Sequence, residues 1–146
     1  DHSNASCTGL YDFGRGAWDR RALETFAVPG ELLPAIQPSA GVLGRTRADL
    51  CGLDVPVAAI SGDQQASMFG QLRDQRGDFK VTFGTSAMVD VNTGETPVLS
   101  QGGAYPLVLW GLGGRRLFCL EGTAITAGAA VQWLRDGLKL IADAGE

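Results

Sequence analysis

The chain has 146 residues, 45% of them hydrophobic and 19% charged, with a formal net charge of -4 at pH 7. That length and apolar content suffice for a buried core of about one domain, which excludes a disordered segment; an acidic balance without basic runs excludes nucleic acid and anionic membrane surfaces as partners. No apolar run approaches the ~18 residues of a membrane span, and Asp1-His2-Ser3-Asn4 begins no targeting pattern, so a cytoplasmic location is expected. Residues 1–17 read as polar and turn-rich around an extended Thr8–Phe13. Trp18, Ala22, Leu23, Phe26 and Ala27 fall at helical spacing and predict a helix that Pro29 and Gly30 stop. A short helical turn is expected over Glu31–Ile36, then mostly loop over 37–54. The small apolar run Pro56–Ile60 predicts a strand buried on both faces, and Gln64–Leu72 a helix after it.

Residues 73–79 are charged, contain Gly77, and mark a boundary between a first part, 1–74, and a second, 75–146. Beyond it, Lys80–Phe83 and Ala87–Val91 flank Gly84-Thr85-Ser86, while Tyr105–Trp110 and Arg116–Leu120 flank Gly111–Gly114. Both pairs read as hairpins, and a meander is the simplest way to join them. A long helix is expected from Thr123 to about Asp143. The 21 glycines are about twice the ordinary share of roughly 7%. Cys7, Cys51 and Cys119 are too widely and irregularly spaced for a disulfide framework or a zinc site, and no metal-ligating set stands out. With His2 the single histidine, Ser-His-Asp chemistry is largely excluded.

Three places carry residues suited to chemistry. Asp63 follows the end of the Pro56–Ile60 strand, where open α/β sheets place ligands. A carboxylate there can take the proton of a hydroxyl that attacks a phosphoryl group, and Gln64 and Gln65 offer donors and acceptors to a polyhydroxy compound. From chemistry alone an ordinary helix N-cap at Asp63 is the commoner reading. Gly84-Thr85-Ser86 suits an anion-holding backbone turn or simply a hairpin. Gly128 and Gln132 lie one helical turn apart in an Ala- and Gly-rich segment, suited either to a close-packed helix or to a ligand against its backbone. Glu121 reads as a helix-start residue. Asp1 and Asn4 read as solvated, and Trp18, Trp110 and Trp133 as core.

Several segments in series carry a more specific signal: Asp1-His2-Ser3-Asn4-Ala5-Ser6, Gly62-Asp63-Gln64-Gln65-Ala66 with Phe69-Gly70-Gln71-Leu72, Thr82-Phe83-Gly84-Thr85, Asn92-Thr93-Gly94-Glu95, Leu120-Glu121-Gly122, Ala127-Gly128-Ala129 and Gln132-Trp133-Leu134-Arg135-Asp136. In this order they resemble the FGGY family of carbohydrate kinases, on its glycerol kinase branch. The resemblance implies an α/β, actin-like ATPase (ribonuclease H-like) fold. Present would be only the end of a first, substrate-side domain and the start of a second, nucleotide-side one. It implies ATP-dependent phosphoryl transfer to a polyol, glycerol to glycerol 3-phosphate, with Asp63 as catalytic base and Gln64 on the polyol. It places Gly84, Thr85, Gly128 and Gln132 at the nucleotide, with Mg2+ accompanying ATP. Met88 stands where an aromatic residue commonly packs on the glycerol carbons, and Cys7 where arginine is usual. Another polyol or sugar is therefore an alternative substrate, and a non-catalytic actin-like nucleotide-binding module an alternative role. Family members are several-fold longer, so the 146 residues alone are expected to be inactive, and the full-length protein to be a homo-oligomer.

Overall fold

The computed structural model describes residues 1–145. Its first helix, α1 (His2–Ser6), begins because the Asp1 carboxylate accepts from the backbone N–H groups of Ser3 and Asn4, donors that a helix start otherwise leaves without partners. The first residues, read as polar and turn-rich, are thus helical, and of the expected extended Thr8–Phe13 two residues form a strand. That strand, β1 (Tyr11–Asp12), is paired antiparallel with Ala17–Trp18 (β2). Asp19 caps α2 (Arg20–Thr25), so the helix starts after Trp18 and not at it. A 3-10 turn at Gly30–Leu32 replaces the helical turn expected over Glu31–Ile36.

The stretch 37–54 is not mostly loop. Ala40–Arg45 forms β3, and Ala48–Cys51 a short α3 closed by Gly52 in the left-handed region. β3 pairs antiparallel with β4 (Pro56–Ala59) through an irregular register that Gly41 and Gly44 accommodate. The two make a sheet of their own. With only one neighbouring strand, β4 is largely exposed and not buried on both faces as its apolar run suggested. The helix after it, α4, spans Asp63–Gly70.

The second half is organised by a four-stranded antiparallel sheet of β5 (Phe79–Phe83), β6 (Ala87–Gly94), β7 (Tyr105–Leu112) and β8 (Arg115–Ala124). Both expected hairpins form, but the order β5-β6-β8-β7 is not a meander. Pro106 supplies a reason: lacking an N–H, it suits β7 to an edge, and the ten-residue β8 takes the interior place beside β6. Gly113 and Gly114, at φ 57° and 78°, turn β7 back into β8.

The segments before the sheet pack onto β7 and β8. Met68 of α4 joins Leu107, Leu109, Trp110 and Cys119 in one buried cluster. Ala5 of α1 and Tyr11 of β1 join Val108 and Phe118 in another. Ser6 tightens the second, its hydroxyl accepting from the Val108 N–H at 2.9 Å. Trp110 is buried as expected and Trp18 partly so, but Trp133 is 59% exposed.

The long helix expected from Thr123 does not form. β8 runs to Ala124 because Thr123 and Ala124 pair with Met88 and Ala87. Glu121 consequently lies within a strand and not at a helix start. The helix that follows, α5, spans only Gly128–Gln132 before the chain widens into a π-helical turn at Trp133–Gly137. Lys139, at φ 55°, marks where helical geometry ends.

Candidate functional site

Asp63 is the first residue of α4, and the N-cap is Gly62, whose backbone is extended. A network from the chain start holds that cap. The Gly62 N–H donates to the Ser3 hydroxyl at 2.9 Å, and that hydroxyl donates to the Asp1 carboxylate at 2.9 Å. Asp1 also accepts from the Ser39 hydroxyl at 2.5 Å, which in turn accepts from the Gly111 N–H at 3.1 Å. Asp1, expected to be solvated, is therefore an internal anchor joining α1, the residue before β3 and, through it, β7 to the turn before Asp63. A side chain at Gly62 would strike the Gln65 amide oxygen. Asp63 itself is exposed, its carboxylate accepting from the Gln64 N–H at 2.8 Å. It does not cap α4, and its second oxygen is left to a ligand or water.

Gln64 connects α4 to the sheet. Its Oε1 accepts from Lys80 Nζ, and from the Thr82 hydroxyl at 3.0 Å. Lys80 also donates to Thr82 at 2.9 Å and pairs with Asp90 at 2.9 Å, with side chains only 3% and 1% exposed. Apart from that ammonium, the hydrogen-bonding group beside the Asp90 carboxylate is Glu121. Glu121 faces Asp90 across the strands. Burial foremost, then the Asp90 charge and a hydrogen bond to Asp90, push the Glu121 pKa up. A proton kept on Glu121 serves the buried carboxylate beside it. Burial and the charges of Glu121 and Asp63 likewise raise the Cys7 thiol, so Cys7 is not an activated nucleophile. Cys119 is fully buried, and its thiol too is pushed far up by burial.

Met88 is half-buried on β6, the cross-strand partner of Thr82 and so adjacent to the Gln64 bonds. The same hairpin carries Gly84 and Thr85 in its exposed loop. There the Gly84 carbonyl accepts from the Gly128 N–H at 2.9 Å, and the Thr85 carbonyl from the Ala127 N–H at 2.9 Å. A side chain at Gly128 would meet the Gly84 oxygen at 2.5 Å, so only glycine allows α5 this close. The fold thus brings Gly84, Thr85 and Gly128 together, and links Gln64 with the neighbourhood of Met88. Gln132, exposed at the end of α5, bonds Asp136 one turn on, and no hydrogen bond joins its side chain to the hairpin loop among the described residues.

Residues 1–70 match the N-terminal domain of the FGGY family of carbohydrate kinases. Over 97% of its length the chain is 46% identical to the glycerol kinase of Halorhodospira halophila, covering 28% of that protein. The chain belongs to the FGGY family of carbohydrate kinases. Among solved FGGY structures, Plasmodium falciparum glycerol kinase with ADP superposes with a TM-score of 0.90 at 32% identity, over 98% of this chain and 29% of that one. The xylulose kinase of Rhodospirillum rubrum, 24% identical, shares the fold with a TM-score of 0.76, over 97% of this chain and 29% of that one. The chain spans less than a third of the length of the relatives it matches. Its mixed α/β architecture is that of the actin-like ATPase sugar kinases.

For an FGGY chain, a nucleotide would find a fit at the hairpin loop. The Thr85 hydroxyl is exposed and bonded to nothing among the described residues, and Gly84 before it carries no side chain to crowd phosphate oxygens. The N–H groups of Ala127 and Gly128 are already used by hairpin carbonyls, so the groups left for a phosphate there would be those of Thr85 and its own loop. Among the described residues no three carboxylate, imidazole or thiol groups converge on a metal position. No helix among them is long and apolar enough to cross a membrane. Sequence reading missed Lys80, Asp90, Ser3 and Ser39. Lys80 and Asp90 did leave a signal, since each is a charge at the inward position of an alternating apolar strand, where only a paired charge is tolerated.

Proposed function

We propose that this chain carries the catalytic base of a polyol kinase that transfers the terminal phosphoryl group of ATP to a hydroxyl, with glycerol as the substrate and glycerol 3-phosphate as the product. The observation that supports this reading most is the placement of Asp63. Its carboxylate stands exposed at the start of α4 while the turn before it is anchored by Ser3 and Asp1. Such a group accepts the proton of the attacking hydroxyl and holds that hydroxyl in line. Gln64 binds the polyol beside it, and Met88 offers an apolar surface to the substrate carbons. Gly84, Thr85, Gly128 and Gln132 take the nucleotide. ATP, with Mg2+ on its phosphates, supplies the phosphoryl group.

The expected boundary near residue 74 divides a substrate-side part from a nucleotide-side part, a reading supported by a family match that ends at residue 70. Because relatives are more than three times as long, the active unit is an intact kinase containing these residues. In that kinase, Asp63→Asn is expected to lower turnover by roughly 100- to 10,000-fold, the usual share of a general base, with unchanged thermal stability. Full activity in the variant overturns the assignment. The 146-residue chain alone is expected to show no ATP-dependent glycerol phosphorylation above its own Asp63→Asn control.

A further inference from the structure

We propose that Lys80 is a positioning residue that fixes the Gln64 carboxamide with its oxygen against the sheet, so that Gln64 can meet a substrate only as a hydrogen-bond donor. The inference rests on the reading of Gln64 as a polyol contact. Lysine has three donors and no acceptor, so the end of the Gln64 amide that faces Lys80 must be its oxygen. Thr82 accepts from Lys80 and passes its own hydroxyl proton to the same oxygen. Both lone pairs of Oε1 are then used, and the two N–H bonds of Nε2 are what Gln64 has left to offer. Asp90, almost wholly buried, holds the ammonium in place.

A consequence for recognition follows. Asp63 only accepts and Gln64, so clamped, only donates. A substrate must therefore give a proton to the first and offer a lone pair to the second, as two neighbouring hydroxyls do and a hydroxyl beside an ammonium does not. Discrimination of this kind resides in residue 64 but is set from position 80.

Lys80→Met alone would strand the Asp90 charge, so the informative variant is Lys80→Met with Asp90→Leu, which removes the buried pair at similar volume and is often tolerated. In the intact kinase this double variant is expected to melt near the parent and to raise the KM for glycerol about tenfold, the loss of one oriented hydrogen bond, with kcat changed less than threefold. Adding Gln64→Ala to it should then change KM little, although Gln64→Ala in the parent raises it. An unchanged KM in the folded double variant, or a full Gln64→Ala effect within it, overturns the proposal. If the parent phosphorylates no polyol, the functional reading fails by itself, and the clamp is judged from the Gln64 side-chain NH2 resonances of the 15N-labelled 146-residue chain. A displaced pair in the double variant supports the clamp, and an unmoved pair refutes it.

Discussion

Glu121 holds its proton to higher pH than an ordinary glutamate because it is partly buried and faces the Asp90 carboxylate, to which it is hydrogen-bonded. The folded-state pKa lies above the ordinary 4.5, and the cause is foremost burial, then the charge of Asp90. Between that value and the raised one, the folded chain binds a proton that the unfolded chain has released. Stability is therefore full below 4.5 and declines as pH rises through the folded pKa. Glu121→Gln keeps a donor for Asp90 at every pH. It is expected to flatten the decline and to raise the urea midpoint at neutral pH. A variant that declines as steeply as the parent would show that Glu121 does not serve Asp90. Cys7, its thiol pushed up by burial and then by the charge of Glu121, is expected to stay a thiol throughout this range.

Helix α4 depends less on its own sequence than on α1. The Ser3 side chain is fully buried, and its hydroxyl is the acceptor for the Gly62 N–H. Ser3→Ala leaves that N–H unpaired and breaks the link to Asp1. A loss of about 1–3 kcal/mol in urea unfolding is expected, and a loss well below that range would mean that water replaces Ser3. This network also shows what the sequence could not disclose. The two hairpins were legible, since alternation and glycine turns are local signals, and the Gly62-Asp63-Gln64 and Gly84-Thr85 motifs were recognised as candidate site residues. The pairing of β6 with β8 was not inferred, although Pro106 already argued for an edge strand. β3 was hidden because glycines at 41 and 44 erase alternation. Apolar spacing after Thr123 read as helix, while pairing with Ala87 and Met88 draws Thr123 and Ala124 into β8 and leaves only a short helix beyond. Asp1 looked solvated because nothing local reveals a partner 38 residues away.

Taken whole, the molecule has an apolar surface on β5 and β6. Phe79, Val81, Phe83, Val89 and Val91 are all exposed, Phe83 at 80%. A contiguous exposed face of that kind is suited to contact with further protein. The isolated chain is expected to enhance the fluorescence of an apolar dye, and Phe79→Thr with Phe83→Thr to abolish most of that enhancement. Equal fluorescence from parent and variant would show that these side chains are covered in solution.

The strand order has a kinetic consequence. β5–β6 and β7–β8 are each closed by a connection of two or three residues, events of microseconds in isolated hairpins. Seating β6 against β8 must instead close a loop across residues 95–114 and wait for two preformed ribbons to meet. The sheet therefore assembles as the docking of two local units. A lesion in the Gly113-Gly114 turn slows the making of one unit, whereas a lesion along the β6–β8 seam leaves both intact and unjoined.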